Sequence, residues 1–194
     1  ALPEHDPTDK RVYRTCAIVG SSGILLNYSR GAEIDSHDMV FRFNSAPTRG
    51  FAAFCGNRTT HRITNSRNFA YREYPSEIVM QHMRSPANVE ALVRLRRNHP
   101  TTRFYGIHTD FINYIDESLD FLPTSGLFGI MIAIHKCASI DIYGFQIHAR
   151  HGAAYHYYNQ RDKPANVERD GVEFDVIKAM ADAEMFRFSE PCVL

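Results

Sequence analysis

Short apolar or β-branched runs alternate along the chain with stretches whose apolar residues recur at helical spacing. Residues 12–19 (VYRTCAIV) predict a first strand, closed by Gly20 and Gly23. Residues 38–43, 59–64, 78–83 and 103–107 predict four more strands, rich in aromatic and β-branched side chains. Residues 87–98 (ANVEALVRLRRN) predict a helix, with its basic residues at the end that favours the helix dipole. Residues 111–119 predict another, and residues 24–31 either a short helix or an irregular connection. The clearest unit is residues 123–145, PTSGLFGIMIAIHKCASIDIYGF. Thr124 or Ser125 can cap an apolar helix running to about residue 137, and a strand follows over 140–145. A last helix is expected over about 172–183, from Val172, Val176, Ile177 and Met180. Strands alternating with helices predict an α/β fold, a single Rossmann-like domain with a mostly parallel central sheet and helices on both faces.

Length and composition agree with that class. The 194 residues can bury a substantial core, and 44% hydrophobic with 23% charged residues is ordinary for a globular domain. Formal net charge is zero, so no nucleic-acid partner is indicated. The basic run at residues 94–97 reads as a solvated helix face. Residues 1–11 are polar and proline-rich, a linker preceding a single domain over 12–194. The longest apolar run, 127–134, is too short to span a bilayer. Cys16, Cys55, Cys137 and Cys192 form no CxxC pair, which argues against structural zinc and leaves free thiols or two disulfides. The sequons at Asn27 and Asn57 are candidate glycosylation sites and point to a secretory compartment.

Several segments carry candidate chemistry. CAIVGSSG (residues 16–23) ends a strand in a glycine-bracketed turn, as at a nucleotide phosphate. Ser22 stands where the dinucleotide fingerprint needs its middle glycine, and no Lys-Ser/Thr follows as in a Walker loop. A plain strand-to-helix connection has the same pattern. Thr124-Ser125-Gly126 opens a helix whose free N–H groups suit an anion, though a simple N-cap fits equally. Tyr155-His156-Tyr157-Tyr158 sets an imidazole among aromatic rings, as a base, a stabiliser of a departing phosphate or part of an edge-packed loop. His148 and His151 have metal-ligand spacing without a helical pattern to support it. No Asp-x-Asp pair occurs, which points to metal-free chemistry.

Taken together, these segments resemble the eukaryotic sialyltransferases, glycosyltransferase family 29. CAIVGSSGILLNYSRGAEIDSHDMVFRFNSAPTRGF with CGNRTTHRITNSR resembles the family's large motif, PTSGLFGIMIAIHKCASIDIYGF its small motif, and YHYY its third motif. The large motif is most like that of the β-galactoside α2,6-sialyltransferases. The histidine of YHYY is more like the α2,3 and α2,8 branches, and IDSHD with PTSG is also similar to plant and algal sialyltransferase-like proteins, some of which handle Kdo.

The resemblance implies a GT-A-like variant of the Rossmann sheet. It implies inverting transfer of sialic acid from CMP-sialic acid, without metal or other cofactor, to a glycan hydroxyl such as that of terminal galactose. The setting would be the Golgi lumen, on glycoprotein or glycolipid acceptors, with a type II membrane anchor absent from this chain. A disulfide between Cys16 and Cys137 is implied, with Cys55 and Cys192 left as a further pairing. Ser21 stands at a donor-binding position beside Ser22 and Gly23. Asn44 and Asn65 match asparagines that hold CMP. Thr124, Ser125 and Gly126 match the segment that contacts the donor carboxylate and nucleotide, and His156 the histidine that contacts phosphate. The departure lies in the last motif, His-x4-Glu, whose histidine is the family's proposed base. Counting from Glu173 or Asp175 places Glu168 or Asp170 at that position. A carboxylate base at Glu168 or Asp170, a substitute histidine (His156, His148 or His151), and a donor-binding protein without efficient turnover remain as alternatives. A CMP-Kdo transferase is a further one.

Overall fold

The period-2 strands sort their side chains onto two faces of one sheet. The structure, a computed structural model, describes residues 12–147 and 149–190. The expected N-terminal linker, His148 and Cys192 lie outside the described residues. In chain order the elements are β1 (Tyr13–Val19), α1 (Gly31–Asp35), β2 (Met39–Phe43), α2 (Ala52–Cys55), β3 (His61–Thr64), β4 (Ile78–His82) and α3 (Pro86–Asn98). There follow β5 (Phe104–Ile107), α4 (Thr109–Glu117), α5 (Ser125–Lys136), β6 (Cys137–Tyr143), α6 (Val167–Asp182) and β7 (Arg187–Phe188). The sheet order is β5-β4-β3-β2-β1-β6-β7, and every neighbouring pair is parallel.

Cys16 and Ile18 of β1 enter one core with Phe41, Ile63 and, from α5, Phe128 and Ile130. Ala17 and Val19 enter a second core on the opposite face, with Ile34 of α1, Cys55 of α2 and Tyr157. The α/β class with helices on both faces therefore stands. Cys16 is disulfide-bonded to Cys137, with Cα atoms 6.1 Å apart, which ties β1 to the junction of α5 and β6. Cys55 is a free, buried thiol.

Several boundaries move from their expected places. Cys137 is both the C-cap of α5 and the first residue of β6, so no loop separates them. Ala138 and Ser139 are exposed, and the apolar signal starts only at Ile140. Likewise, α6 begins at Val167 rather than near residue 172, capped by the Asn166 side chain. Its charged first turn, Glu168-Arg169-Asp170, carries no apolar period. The two residues of β7 are too few to register as a strand in the sequence. Residues 23–27 form a 3-10 turn that precedes α1.

Chain order runs outward from β1 in both directions, to β2 through β5 on one side and β6, β7 on the other. That reversal is a topological switch point, where open α/β sheets form a crevice beyond the strand ends. Here the ends of β1 and β6 touch: a Cβ on Gly20 would lie 2.3 Å from the carbonyl oxygen of Gly144. Only glycine permits that approach.

Candidate active site

A cleft lies in the crevice at the switch point. Ser21 lines it beyond β1, Asn44 beyond β2, and Thr124 to Gly126 at the start of α5. Tyr155 and His156 close it from one side, and α6 contributes Asp170 and Glu173. Segments more than a hundred residues apart thus share one site.

The glycine turn contributes less side-chain surface than its pattern suggests. Ser22 is fully buried; its hydroxyl donates to Gln146 O (2.6 Å) and accepts from Ile24 N (3.1 Å), capping the 3-10 turn. Gly23 lies under the loop after β6, where a Cβ would sit 2.8 Å from Ala154 O. Neither lines the cleft. Ser21 does, and its carbonyl accepts the N–H of Tyr157 (2.9 Å), joining the turn to the aromatic loop.

The start of α5 is held from α6. Glu173 accepts from Thr124 N (2.6 Å) through one oxygen and from Thr124 Oγ1 (2.5 Å) through the other. Thr124 Oγ1 in turn accepts from Gly126 N (3.1 Å) and Leu127 N (3.4 Å). The N–H and hydroxyl of Ser125, the first residue of α5, keep no partner among the described residues. They remain for an anion, which the helix dipole also favours. Burial pushes the Glu173 carboxyl up, and the two bonds from Thr124 pull it back down. In the sequence Glu173 served only as a counting mark for the last motif; its clamp on Thr124 has no signal in a single chain.

Asn44 occupies the left-handed region, φ +51°. Its Oδ1 accepts from Asn65 N (3.0 Å), which fixes the amide orientation, so its NH₂ is a donor without a partner among the described residues. Its carbonyl accepts from Arg62 Nη1 (2.9 Å), and Arg62 is fully buried against Glu77, at 2.6 and 3.2 Å. Asn65 itself caps a short turn, with Oδ1 accepting from Arg67 N and Asn68 N, and does not line the cleft.

Of the candidate bases, Glu168 is exposed on the first turn of α6, away from the cleft. Asp170 lines the cleft but is buried, with Oδ1 accepting from Arg169 Nε (3.0 Å) and Nη2 (2.5 Å). His151 is buried against Phe174 of α6, ring centroids 4.4 Å apart, and does not line the cleft. His156 pairs through Nδ1 with Asp162 Oδ2 at 2.7 Å and stacks on Tyr158. Asp162 returns from a loop six residues on, too local a closure for a sequence pattern to reveal. Burial, with the charge of Asp170 adding, pushes the Tyr155 hydroxyl up to about 12. Two carboxylates and no Lys or Arg line the cleft among the described residues. An anion there would meet backbone N–H, hydroxyl, amide and imidazole groups.

Both sequon asparagines are exposed. The Asn57 sequon is locked in the fold, because Thr59 is buried and its hydroxyl accepts from Arg42 Nε (3.0 Å). No helix among the described residues is long and apolar enough to cross a membrane.

Comparison with known proteins gives a consistent result. The model of glycosyltransferase family 29 (sialyltransferase) matches residues 1–99 and 76–185. A beta-galactoside alpha-2,6-sialyltransferase 2 of Bos taurus is 35% identical over 179 residues, covering 76% of this chain and 36% of that protein. A CMP-N-acetylneuraminate-beta-galactosamide-alpha-2,3-sialyltransferase 1 of Pan troglodytes is 30% identical over 185 residues, covering 82% and 52%. The chain therefore spans about a third to a half of these relatives. A crystal structure of a mammalian sialyltransferase superposes with a TM-score of 0.78 at 27% identity, covering 96% of this chain and 74% of that one. A second, in complex with Gal-beta-1-3GalNAc-ortho-nitrophenol, has the same TM-score at 25% identity.

Proposed function

The chain belongs to glycosyltransferase family 29, the sialyltransferases, and from that premise we propose that it transfers sialic acid from CMP-sialic acid to a glycan hydroxyl. The observation that carries this reading is the convergence at the switch point of three donor groups: the unpartnered Ser125 N–H and hydroxyl, the Asn44 amide and the His156 ring. Amides and hydroxyls suit cytidine and ribose, and a helix start suits the carboxylate or phosphate of the donor. Thr124 and Gly126 shape that start, and Ser21 borders it. Ser22, Gly23 and Asn65 support the reading only as props of the turns beside the cleft.

The acceptor, in this reading, is a terminal galactose of a glycoprotein or glycolipid. Its hydroxyl oxygen attacks the anomeric carbon of the donor as the bond from that carbon to the phosphate oxygen breaks. The electron pair leaves with CMP, the configuration inverts, and the hydroxyl proton passes to a base. Preorganised donors at the leaving phosphate lower the barrier without a metal. The Golgi lumen is the setting.

Single-turnover assays with CMP-sialic acid and galactose-terminated acceptors, with and without EDTA, test the reading. Transfer insensitive to EDTA is expected. Absence of both transfer and CMP release across a panel of CMP-sugars, CMP-Kdo included, overturns it. The missing last-motif histidine favours one rival, a protein that binds CMP without turnover; tight CMP binding with no transfer is its signature.

A further inference from the structure

The two Asn-x-Ser/Thr segments differ in what the fold leaves free. Asn27 ends the 3-10 turn that precedes α1, and both Asn27 and Ser29 are exposed. Neither side chain has a hydrogen-bond partner among the described residues. The backbone bonds of the segment are local, among them Tyr28 N to Leu25 O (3.2 Å) and Arg30 N to Tyr28 O (3.0 Å).

Asn57 is exposed as well, but the residues around it are pinned. Asp35, the last residue of α1, accepts from Asn57 N (3.1 and 2.9 Å) and from Arg58 N (2.9 Å). The Arg58 side chain donates to His37 O and to Asp38 O (2.9 Å). From β2, Arg42 donates to Cys55 O (2.6 Å), to Arg58 O (3.3 and 3.1 Å) and to Thr59 Oγ1 (3.0 Å). Thr59 is 8% exposed and Arg42 only 1%. Every hydrogen bond of the Arg42 side chain among the described residues therefore ends on residues 55–59, and its Nη1 already has no partner there. Lifting residues 57–59 out of the fold would strip a buried guanidinium of all its acceptors but Cys55 O, which is costly. Transfer of an N-glycan needs the asparagine amide and the hydroxyl two residues on in one enzyme site. At Asn27 the folded chain offers both. At Asn57 it offers the amide and withholds the hydroxyl.

We propose that Asn27 is an N-glycan acceptor on the folded protein, whereas Asn57 accepts a glycan only before Arg42 closes on Thr59. The co-substrate is an oligosaccharide linked to a lipid pyrophosphate. The amide nitrogen bonds to the anomeric carbon of the first sugar as the bond from that carbon to the pyrophosphate oxygen breaks. The electron pair leaves with the lipid pyrophosphate, and the amide proton passes to a base of the oligosaccharyltransferase. The secretory setting rests on the reading above; the contrast between the two segments does not.

The test uses protein purified from a bacterial host, so that both sites start bare. The folded, disulfide-intact protein and the same chain reduced and carboxymethylated are each given an oligosaccharyltransferase and its lipid-linked oligosaccharide. Glycopeptide mass spectrometry reads the rate at each asparagine. Asn27 is expected to react in the folded protein within about threefold of its rate in the unfolded chain, since no opening of the fold is needed. Asn57 is expected to react at least about tenfold more slowly in the folded protein, where its hydroxyl is reached only through local opening. In the folded protein, Asn27→Gln removes nearly all glycan uptake and Asn57→Gln leaves it unchanged; both residues are exposed, so the fold is kept. Equal rates at Asn57 in the folded and unfolded chains overturn the proposal. So does a folded protein that is unreactive at Asn27, or either site remaining unreactive in the unfolded chain. None of these results touches the transferase reading, which stands or falls on turnover of CMP-sugars.

Discussion

Glu173 and Thr124, 49 residues apart, meet through two hydrogen bonds that use both oxygens of one carboxylate and both donors of one threonine. The start of α5 is therefore set by α6. Any ligand held at Ser125 depends on the carboxylate that fixes Thr124.

Glu173→Gln tests that dependence. Glutamine keeps one carbonyl oxygen for Thr124 but turns an NH₂ toward its second donor. A buried donor without an acceptor costs about 1–3 kcal/mol, which urea denaturation would measure. CMP affinity should fall alongside, because the helix start is released. Glu168→Gln is the control: the residue is exposed and away from the cleft, so stability should stay within about 0.5 kcal/mol and CMP affinity should not change.

Asn44 separates backbone strain from ligand chemistry. Its φ of +51° suits glycine, and alanine there is strained. Asn44→Ala should therefore destabilise more than Asn44→Gly, although both lose the bond from Asn65 N. Both variants lack the side-chain NH₂, so both should lose CMP affinity to a similar degree. Equal CMP binding by Asn44→Gly and the parent would remove Asn44 from the donor site. Thermal melts and calorimetric titration with CMP make the two comparisons.

The sheet was legible because six of its seven strands are apolar or β-branched runs between turn residues, and α5 because its capped start precedes a long apolar run. What stayed hidden depends on closure between distant residues. The charged first turn of α6 gives no period, so Asp170 fell outside the expected helix. Ser22 and Gly23 looked like ligand contacts, yet their chemistry is spent on Gln146 and Ala154. The buried Arg62–Glu77 pair beneath Asn44 reads in the sequence as two ordinary surface charges. The resemblance placed the Cys16–Cys137 bond, which composition alone left open.

That disulfide closes a sequence separation of 121 residues and joins the strand that begins the cleft to the end of the helix that lines it. Its loss should cost about 2–4 kcal/mol, chiefly by freeing the unfolded chain. Cys16→Ala and Cys137→Ala should destabilise alike, and the double variant no more than either alone. Adding reductant to the parent should reproduce the loss and leave the double variant unaffected. Denaturant midpoints with and without reductant supply the check.

Glu190 gives the fold a pH dependence of defined sign. The residue is buried; its Oε1 accepts from Gly144 N (2.9 Å), beside the cleft, and its Oε2 has no partner among the described residues. Burial raises its carboxyl to about 7 from an ordinary value of 4.5. Below pH 4.5 the folded and unfolded chains both hold this proton, and the group contributes no slope. Between pH 4.5 and about 7 the unfolded chain releases it while the folded chain retains it, so stability falls as pH rises. Above about 7 both states are ionised and the loss is complete, at roughly 3 kcal/mol. Glu190→Gln keeps a carbonyl for Gly144 N and removes the titration. His37, raised by its bond to Asp141, contributes to the pH dependence of both proteins and cancels in their difference. Relative to the parent, the variant should therefore gain stability steadily from pH 5 to pH 7.5, as read by urea denaturation at each pH. A constant difference across that range would mean that Glu190 is already ionised in the fold at pH 5.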